Sequence, residues 1–182
     1  MAFISIMPML LSAQSLLTVK QDGSGDFTQI QAAINAAMDG DTVLVWPGTY
    51  VENIVFNHKG ITLASLHLTT SDSNYIDQTI IDGNHTNSCL YYDTVPHPSY
   101  LQGFTITNGQ GNINTSRDPG GGIWAKNSTL EISYCKIIHN KAGNGGGIYI
   151  SSSDVSIINS IISYNSVNQQ GGGIYISGPG LY

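Results

Sequence analysis

The phrase Gly-Gly-Gly-Ile followed by an aromatic residue occurs three times in the C-terminal half of the chain. It reads GGGIWA at 120–125, GGGIYI at 145–150 and GGGIYI at 171–176, so the copies begin 25 and 26 residues apart (145 − 120 and 171 − 145). A period of this length indicates a repeat architecture in which each unit buries its apolar face against the next unit.

The similarity continues into the segments after the glycines. LEISYCKIIHN at 130–140 aligns with VSIINSIISYN at 155–165. The offset of 25 pairs Ile132 with Ile157, Ile137 with Ile162 and Asn140 with Asn165. A looser copy, GFTITN at 103–108, ends in Asn108. Because three short strands and three turns fill about 25 residues, the period predicts a β-solenoid with three strands per coil.

Side-chain alternation predicts which residues of each strand face the core. Ile148 and Ile150 are expected to point inward and Tyr149 outward, and in the next strand Val155 and Ile157 inward. An asparagine that recurs at a corner is expected to adopt the left-handed conformation and to bond the next asparagine of the stack through its amide.

The N-terminal half contains strands and one helix. Short apolar runs between Gly, Asn, Asp and Pro predict the strands TVLVW, NIVF, ITLAS, QTII, CLYY and FTIT. GDFTQIQAAINAAMDG has apolar residues at helical spacing from Phe27 to Met38, which predicts a helix capped by Asp26 or Thr28 and ended by Gly40. We expect this helix to close the N-terminal end of the core, and a continuing solenoid or a partner to cover the C-terminal edge.

Charge and composition exclude several classes of partner. The formal net charge is −6 and Arg117 is the only arginine, so neither nucleic acid nor an anionic membrane surface is expected as a partner. No later run approaches 18 apolar residues, so no insertion of this chain into a membrane is expected. Residues 1–15 form an apolar run that ends in small residues, which predicts the remnant of a secretory signal and leaves 16–182 as the solenoid domain. A first strand is the alternative interpretation of this run. The protein is therefore expected to be secreted or on the cell surface. Cys89 and Cys135 are interpreted as buried free thiols, with a bridge as the alternative.

The segment at 19–56, including GTYVE at 48–52, resembles the N-terminal coil of pectin methylesterases and of the wider pectin-lyase-like group. The later GGGI coils resemble the repeats of bacterial surface β-helix proteins, including polymorphic outer-membrane proteins. The resemblance implies an all-β fold, a right-handed parallel β-helix with an N-terminal capping helix. It also implies carbohydrate-active relatives that work with clustered carboxylates and arginines.

Those catalytic motifs are missing from the sequence, so no catalytic residue is assigned. Glu52 of GTYVE is interpreted as a structural residue of the first coil, and DGSGDF at 22–27 as a tight turn rather than a calcium loop. The five histidines lack metal-ligand spacing and are expected at the surface or in turns. No metal site or cofactor is predicted. GGGI leads into a strand and carries no lysine, which excludes a phosphate loop.

One feature points to a ligand. Trp124, Tyr149 and Tyr175 hold the same outward position in three GGGI strands, and Tyr91 of CLYYD extends the row. Such a row is either a ladder that stabilises the sheet or a flat strip on which sugar rings lie. The leading hypothesis is a non-catalytic surface domain for polysaccharide binding or adhesion. A truncated or divergent pectin esterase or lyase, and a structural stalk, are the alternatives.

Overall fold

The computed structural model describes residues 14–111 and 120–178. Most of the predicted signal remnant, up to residue 13, and Arg117 lie outside these residues. In chain order the elements are β1 (Leu16–Val19), α1 (Ile30–Ala36), β2 (Thr42–Val45), β3 (Gly48–Val51), β4 (Ile54–Val55), β5 (Thr62–Ser65), α2 (His67–Thr70), α3 (Asn74–Gln78), β6 (Thr79–Asp82), β7 (Leu90–Asp93), β8 (Ser99–Gln102), β9 (Thr105–Thr107), β10 (Ile123–Lys126), β11 (Thr129–Ser133), β12 (Lys136–Ile138), β13 (Lys141–Asn144), β14 (Ile148–Ser151), β15 (Asp154–Ile158), β16 (Ile161–Ser163), β17 (Ser166–Gln170) and β18 (Ile174–Ser177). None of these helices has the length and apolarity needed to cross a membrane.

From β2 onward the chain visits three long sheets in turn and adds one strand to each per coil. Sheet A has the order β1-β2-β5-β8-β11-β15, sheet B β3-β6-β9-β12-β16 and sheet C β4-β7-β10-β14-β18. A fourth, two-stranded sheet of β13 and β17 lies between sheets B and C along the chain. Neighbouring strands are parallel throughout. The predicted right-handed parallel β-helix is confirmed. Three strands per coil is correct for the earlier coils, whereas the last two coils each contain a fourth strand, β13 or β17.

The strand register follows the sequence repeat. Ile132 pairs with Ile157 and Ile137 with Ile162, as the offset of 25 predicts. The extra residue of the 26-residue repeat is absorbed in sheet β13–β17, where the offset changes from 25 at Ala142 to 26 at Asn144. A local irregularity in this short sheet thus keeps the three long sheets in register.

Alternation places the isoleucines in the core as expected. Ile148 and Ile150 belong to one apolar cluster that runs through the solenoid, and Val155 and Ile157 pack against its end. Burial of such a side chain contributes about 1.5–3 kcal/mol to folding.

The expected ladder of asparagine side chains is present, but the backbone conformation of its asparagines differs from the expected one. Asn140 donates through Nδ2 to Oδ1 of Asn165 at 3.1 Å, which confirms the amide contact. The left-handed residues are His139 (φ 57°) and Tyr164 (φ 55°), one position before each asparagine. The prediction of a left-handed conformation for these asparagines is therefore wrong, because their amides are held inside the corner while the preceding residue makes the turn.

The segment GFTITN also stacks on these coils, but its final residue, Asn108, is aligned one position before Asn140. Ile106 pairs with Ile137, so Asn108 corresponds to His139 and is left-handed as well (φ 56°). Gly109 occupies the level of Asn140 and donates its backbone N–H to Asn140 Oδ1 at 2.8 Å.

The predicted helix is real but shorter, and its caps differ. Phe27 forms a bridge with Val19 instead of entering the helix, and Met38 after its end is 65% exposed. Neither Asp26 nor Thr28 caps it: Gln29 is the N-cap residue and its side chain makes no capping bond. Gly40 does not end the helix, which stops at Ala36. Its residues Ile30, Ala33 and Ile34 are fully buried in the core cluster, while its role as an end cap stays a prediction.

Helices α2 and α3 correct the expectation that only strands follow α1. Asp72 lies between these two helices and Asp77 within α3. Helix α3 lies over the outside of sheet B, where the hydroxyl of Thr105 donates to the carbonyl of Ile76 at 2.8 Å and Lys136 forms an ion pair with Asp77.

The repeated glycines allow successive coils to approach closely. A Cβ on Gly122 would lie 2.7 Å from the carbonyl oxygen of Gly147, and one on Gly147 would lie 2.5 Å from that of Gly173. These contacts are too short for any side chain. The glycines therefore serve coil stacking, in agreement with the interpretation that excluded a phosphate loop.

Candidate functional site: an interrupted aromatic row on sheet C

The four aromatic residues selected from the sequence form one row across sheet C. Tyr91 pairs with Trp124, Trp124 with Tyr149, and Tyr149 with Tyr175. The row begins one strand earlier at Val55, which pairs with Tyr91. Because the strands are parallel and in register, the five side chains project from the same side of the sheet.

The rings form two separate pairs rather than a continuous strip. Tyr91 and Trp124 are stacked, with centroids 4.1 Å apart and ring planes 16° apart. Tyr149 and Tyr175 are tilted by 42° at 5.2 Å. Tyr149 points away from the core as predicted but is only 7% exposed, since the Tyr175 ring covers it and Ser177 donates to its hydroxyl at 3.0 Å. The open, flat strip expected from the sequence is thus restricted to the Tyr91–Trp124 end.

A step in the row creates a pocket at this end. Trp124 covers one face of the Tyr91 ring, so the other face is directed along the row toward β4, where the much shorter Val55 stands. The pocket has a volume of about 240 Å³ and is lined by Asn53, Ile54, Val55, Asn87, Ser88, Tyr91 and Trp124. We call it the Val55 pocket.

Hydrogen bonds fix the polar wall of the Val55 pocket. Asn53 Nδ2 donates to the backbone oxygens of Gly83, Asn87 and Ser88 at 3.1–3.3 Å, and Asn53 Oδ1 accepts from the Thr86 hydroxyl at 2.7 Å. Asn53 therefore shapes the wall, whereas the exposed side chain of Asn87 stands at the rim.

The Tyr91 ring is held in place by a charged pair. Its hydroxyl donates to Asp93 Oδ2 at 2.7 Å, and Asp93 forms an ion pair with Lys126 at 3.3 Å on the neighbouring strand. Burial, followed by the bond to Asp93, raises the pKa of Tyr91 well above its ordinary value. The bond from Tyr91, with smaller contributions from Thr94 and Lys126, lowers the pKa of Asp93. The ring is accordingly neutral and its anchor negatively charged at physiological pH.

The sequence pattern was sufficient to add Tyr91 of CLYYD to the row, but not to predict the pocket beside it. The signal for the pocket is the valine of NIVF, which stands where every later strand of sheet C has an aromatic side chain. Val55 can be assigned to the row only when β4 is known to pair with β7. The separation of Val55 and Tyr91 is 36 residues (91 − 55), so the 25-residue repeat does not predict this pairing.

A second open surface lies on sheet A around Tyr100, which is 45% exposed. On one side of it a groove of about 230 Å³ contains Glu131 and Asp154, and on the other a groove of about 290 Å³ contains Asp39 and His97. In these two grooves carboxylates lie beside an aromatic ring.

Residues considered for metal or acid–base chemistry have structural surroundings. Within residues 14–111 and 120–178, no three His, Cys, Asp or Glu side chains gather in a way that could hold a metal ion. Asp22 accepts the backbone N–H and hydroxyl of Ser24 at 2.9 and 2.8 Å, which confirms the tight turn. His67 corrects the expectation for histidines, because it is only 6% exposed and packs its ring against Tyr134. Cys89 and Cys135 are free and buried, as interpreted.

Comparison with known proteins agrees with this architecture. Residues 27–180 match the family described as the right-handed beta helix region. The chain belongs to this β-helix family. Comparison with curated proteins gives no match. The β-helix is also similar to the crystal structure of the pectin methylesterase from Aspergillus niger in deglycosylated form, at 14% identity and a TM-score of 0.49, over 94% of this chain and 69% of the esterase. At this level of similarity nothing about the esterase reaction carries over.

Proposed function

We propose that this β-helix is an exported or cell-surface domain that binds polysaccharide without cleaving it, and that the Val55 pocket holds one sugar ring. The observation that carries the proposal is the uncovered face of Tyr91 above a short valine, at the end of a stacked aromatic pair. A pyranose presents a face of C–H groups that stacks on an aromatic ring, and its hydroxyls need polar groups at the edge. The exposed amide of Asn87 provides such a group at the rim.

The charges favour a neutral glycan over polygalacturonate. The chain carries a net charge of −6, and the Tyr91 hydroxyl is bonded to the carboxylate of Asp93. Lys126 on the next strand is already paired with this carboxylate. An anionic polymer would meet no free cation among these lining residues, so we expect a stronger retention on neutral glucans than on pectate.

The experiment that tests the proposal must separate binding from sheet stabilisation. Val55→Tyr extends the aromatic row and fills the pocket, so it should preserve or raise the melting temperature while abolishing retention on neutral glucan gels. Tyr91→Ala should weaken retention by about tenfold, which corresponds to about 1.4 kcal/mol. Tyr175→Ala, outside the pocket, is the matched control and should bind like the wild type. Unchanged retention by Val55→Tyr would show that the row is only a structural ladder.

Carbohydrate-active catalysis is the second candidate, and the groove on sheet A favours it. Glu131 and Asp154 line one side of Tyr100 there, and paired carboxylates are what glycoside hydrolysis requires. The test is release of reducing sugar or methanol from pectins and glucans by the wild type and by Glu131→Gln. Activity that disappears in Glu131→Gln would replace the non-catalytic proposal with an enzymatic one.

A further inference from the structure

The stacking of Tyr91 on Trp124 fixes how a sugar ring would lie in the Val55 pocket. The two residues stand on neighbouring strands, which follow each other along the solenoid axis, and their ring centroids are 4.1 Å apart. Rings that stack face to face in this direction have their planes across the axis. A pyranose that stacks on the free face of Tyr91 takes the same orientation. Its plane then contains the direction of β4 and the direction away from the sheet, but not the solenoid axis.

The floor of the pocket blocks a path into the sheet. It is formed by Ile54, which is fully buried, and by Val55. The side-chain amide of Gln31 extends this floor beyond β4, because its Oε1 accepts the N–H of Val55 at 2.7 Å and its Nε2 donates to the Val55 carbonyl at 3.0 Å. These are the bonds that a further strand would make. A sugar in the pocket therefore rests on a continuous surface, and no glycan chain can pass inward.

The polar wall of the pocket blocks a path toward the start of β4. Asn53 directly precedes β4, and Ser88 lies just before β7 in the next coil. Asn53 Nδ2 donates to the backbone oxygens of Asn87 and Ser88, and Asn53 Oδ1 accepts from the hydroxyl of Thr86. These bonds join two successive coils and keep the wall in place. The pocket is thus closed on two adjoining sides, the floor and the wall.

We propose that the Val55 pocket receives the terminal sugar of a glycan chain rather than a sugar within the chain, an inference that rests on the function proposed above. A pyranose inside a chain that is linked through opposite ring carbons carries its two linkages on opposite sides, close to the ring plane. In the orientation fixed by Tyr91, one of these two directions points at the floor or at the wall. A terminal sugar carries a single linkage, which leaves toward solvent. The ligand class is therefore the chain ends and branch tips of neutral glycans.

The test compares the number of chain ends with the mass of glycan. A neutral glucan that retains the protein on a gel is cut by partial acid hydrolysis into soluble fragments of different average length, and these compete with the gel at equal mass. Fragments about tenfold shorter offer about tenfold more ends, so they should release the protein at about one tenth of the mass concentration. Equal release per mass at every length would overturn the inference and leave the proposed function standing. A protein that is retained on no neutral glucan would overturn both.

Two variants connect the binding of chain ends to this pocket. The disaccharide of the same glucan should bind the wild type in calorimetry, and Tyr91→Ala should raise its dissociation constant about tenfold. Val55→Tyr fills the pocket and should keep the fold, so its loss of disaccharide binding guards against a misfolded Tyr91→Ala. Tyr175→Ala is the control and should bind the disaccharide like the wild type. Unchanged disaccharide binding by Val55→Tyr would show that chain ends are recognised elsewhere and would overturn the inference.

Discussion

Glu52 and Ile30 are joined across the first coil: one carboxylate oxygen of Glu52 accepts the backbone N–H of Ile30 at 2.9 Å. Its second oxygen accepts the N–H of Gln31 at 2.8 Å. Both oxygens thus satisfy amide groups at the start of α1, where the helix lacks partners of its own and where a negative charge is favourable. Glu52 therefore caps the start of the helix in place of the N-cap side chain, although it lies 22 residues after Ile30 in the chain.

Replacement of Glu52 by alanine should therefore destabilise the fold by about 1–2 kcal/mol, the usual cost of a lost helix cap. Glu52→Gln keeps one acceptor oxygen and should cost less. Urea unfolding followed by circular dichroism measures both changes. Glu131→Ala, on the outer side of β11, serves as the control and should stay within about 0.5 kcal/mol of the wild type. Equal effects of the two alanine variants would contradict a capping role for Glu52.

Coil stacking predicts different costs for the same substitution in successive repeats. Gly147→Ala brings a Cβ to within 2.5 Å of the Gly173 carbonyl oxygen, so neighbouring coils must separate. Overpacking of this kind costs about 1–3 kcal/mol. Gly173→Ala meets its nearest atom at 3.6 Å and should be close to neutral. Thermal unfolding of the two variants side by side tests this contrast, and similar melting temperatures would be evidence against stacking as the reason for the glycines.

Replacement of the buried amide of Asn140 by a carboxylate should destabilise the fold. Its Nδ2 donates to the backbone oxygens of Ile106 and Ile138, both at 3.0 Å, and the residue is 1% exposed. In Asn140→Asp these carbonyls lose their donor and face an acceptor instead, which should cost about 1–3 kcal/mol for the unsatisfied groups. Asn165→Asp, at the more open end of the ladder, should cost less. Chemical denaturation of both variants at neutral pH gives the comparison.

The sequence was most informative where a residue repeats. The 25-residue offset predicted the pairing of Ile132 with Ile157 and of Trp124 with Tyr149, because stacked coils of equal length must align equivalent positions. Contacts that occur only once in the fold have no repeated sequence pattern from which they could be predicted. The bond from Ile30 to Glu52 and the packing of α3 over Thr105 join segments with no repeat between them.

In the candidate site, too, the repeated feature could be predicted from the sequence and the features that occur once could not. The aromatic row could be predicted, but its accessibility could not. Tyr149 is covered by the ring of Tyr175 and by a bond from Ser177, and both depend on side-chain orientation rather than on register. The Val55 pocket depends on the absence of a large side chain from the first strand of the row, which is visible only once β4 is paired with β7.

The two thiols should be unreactive in the folded protein. Burial raises the pKa of Cys89 to about 12 and that of Cys135 to about 11, so neither forms a thiolate at neutral pH. We expect no reaction with a disulfide reagent at pH 8 until the chain unfolds, and then two equivalents of thiol. Rapid release of one equivalent from the native protein would show that the core opens locally at one of the two cysteines.

The bond between Tyr91 and Asp93 makes part of the stability depend on pH. Because the folded-state pKa of Asp93 is lowered from its ordinary value of 3.8, its contribution is fully present above that value and is lost as the pH falls through the lower folded-state pKa. The contribution should be about 1 kcal/mol or less, as for other partly exposed charged pairs. Asp93→Asn should therefore lower the stability at pH 7 and differ little from the wild type near pH 2. Urea unfolding of both proteins between pH 2 and pH 7 measures the difference, and two curves that stay parallel down to pH 2 would mean that Asp93 is not stabilised by Tyr91.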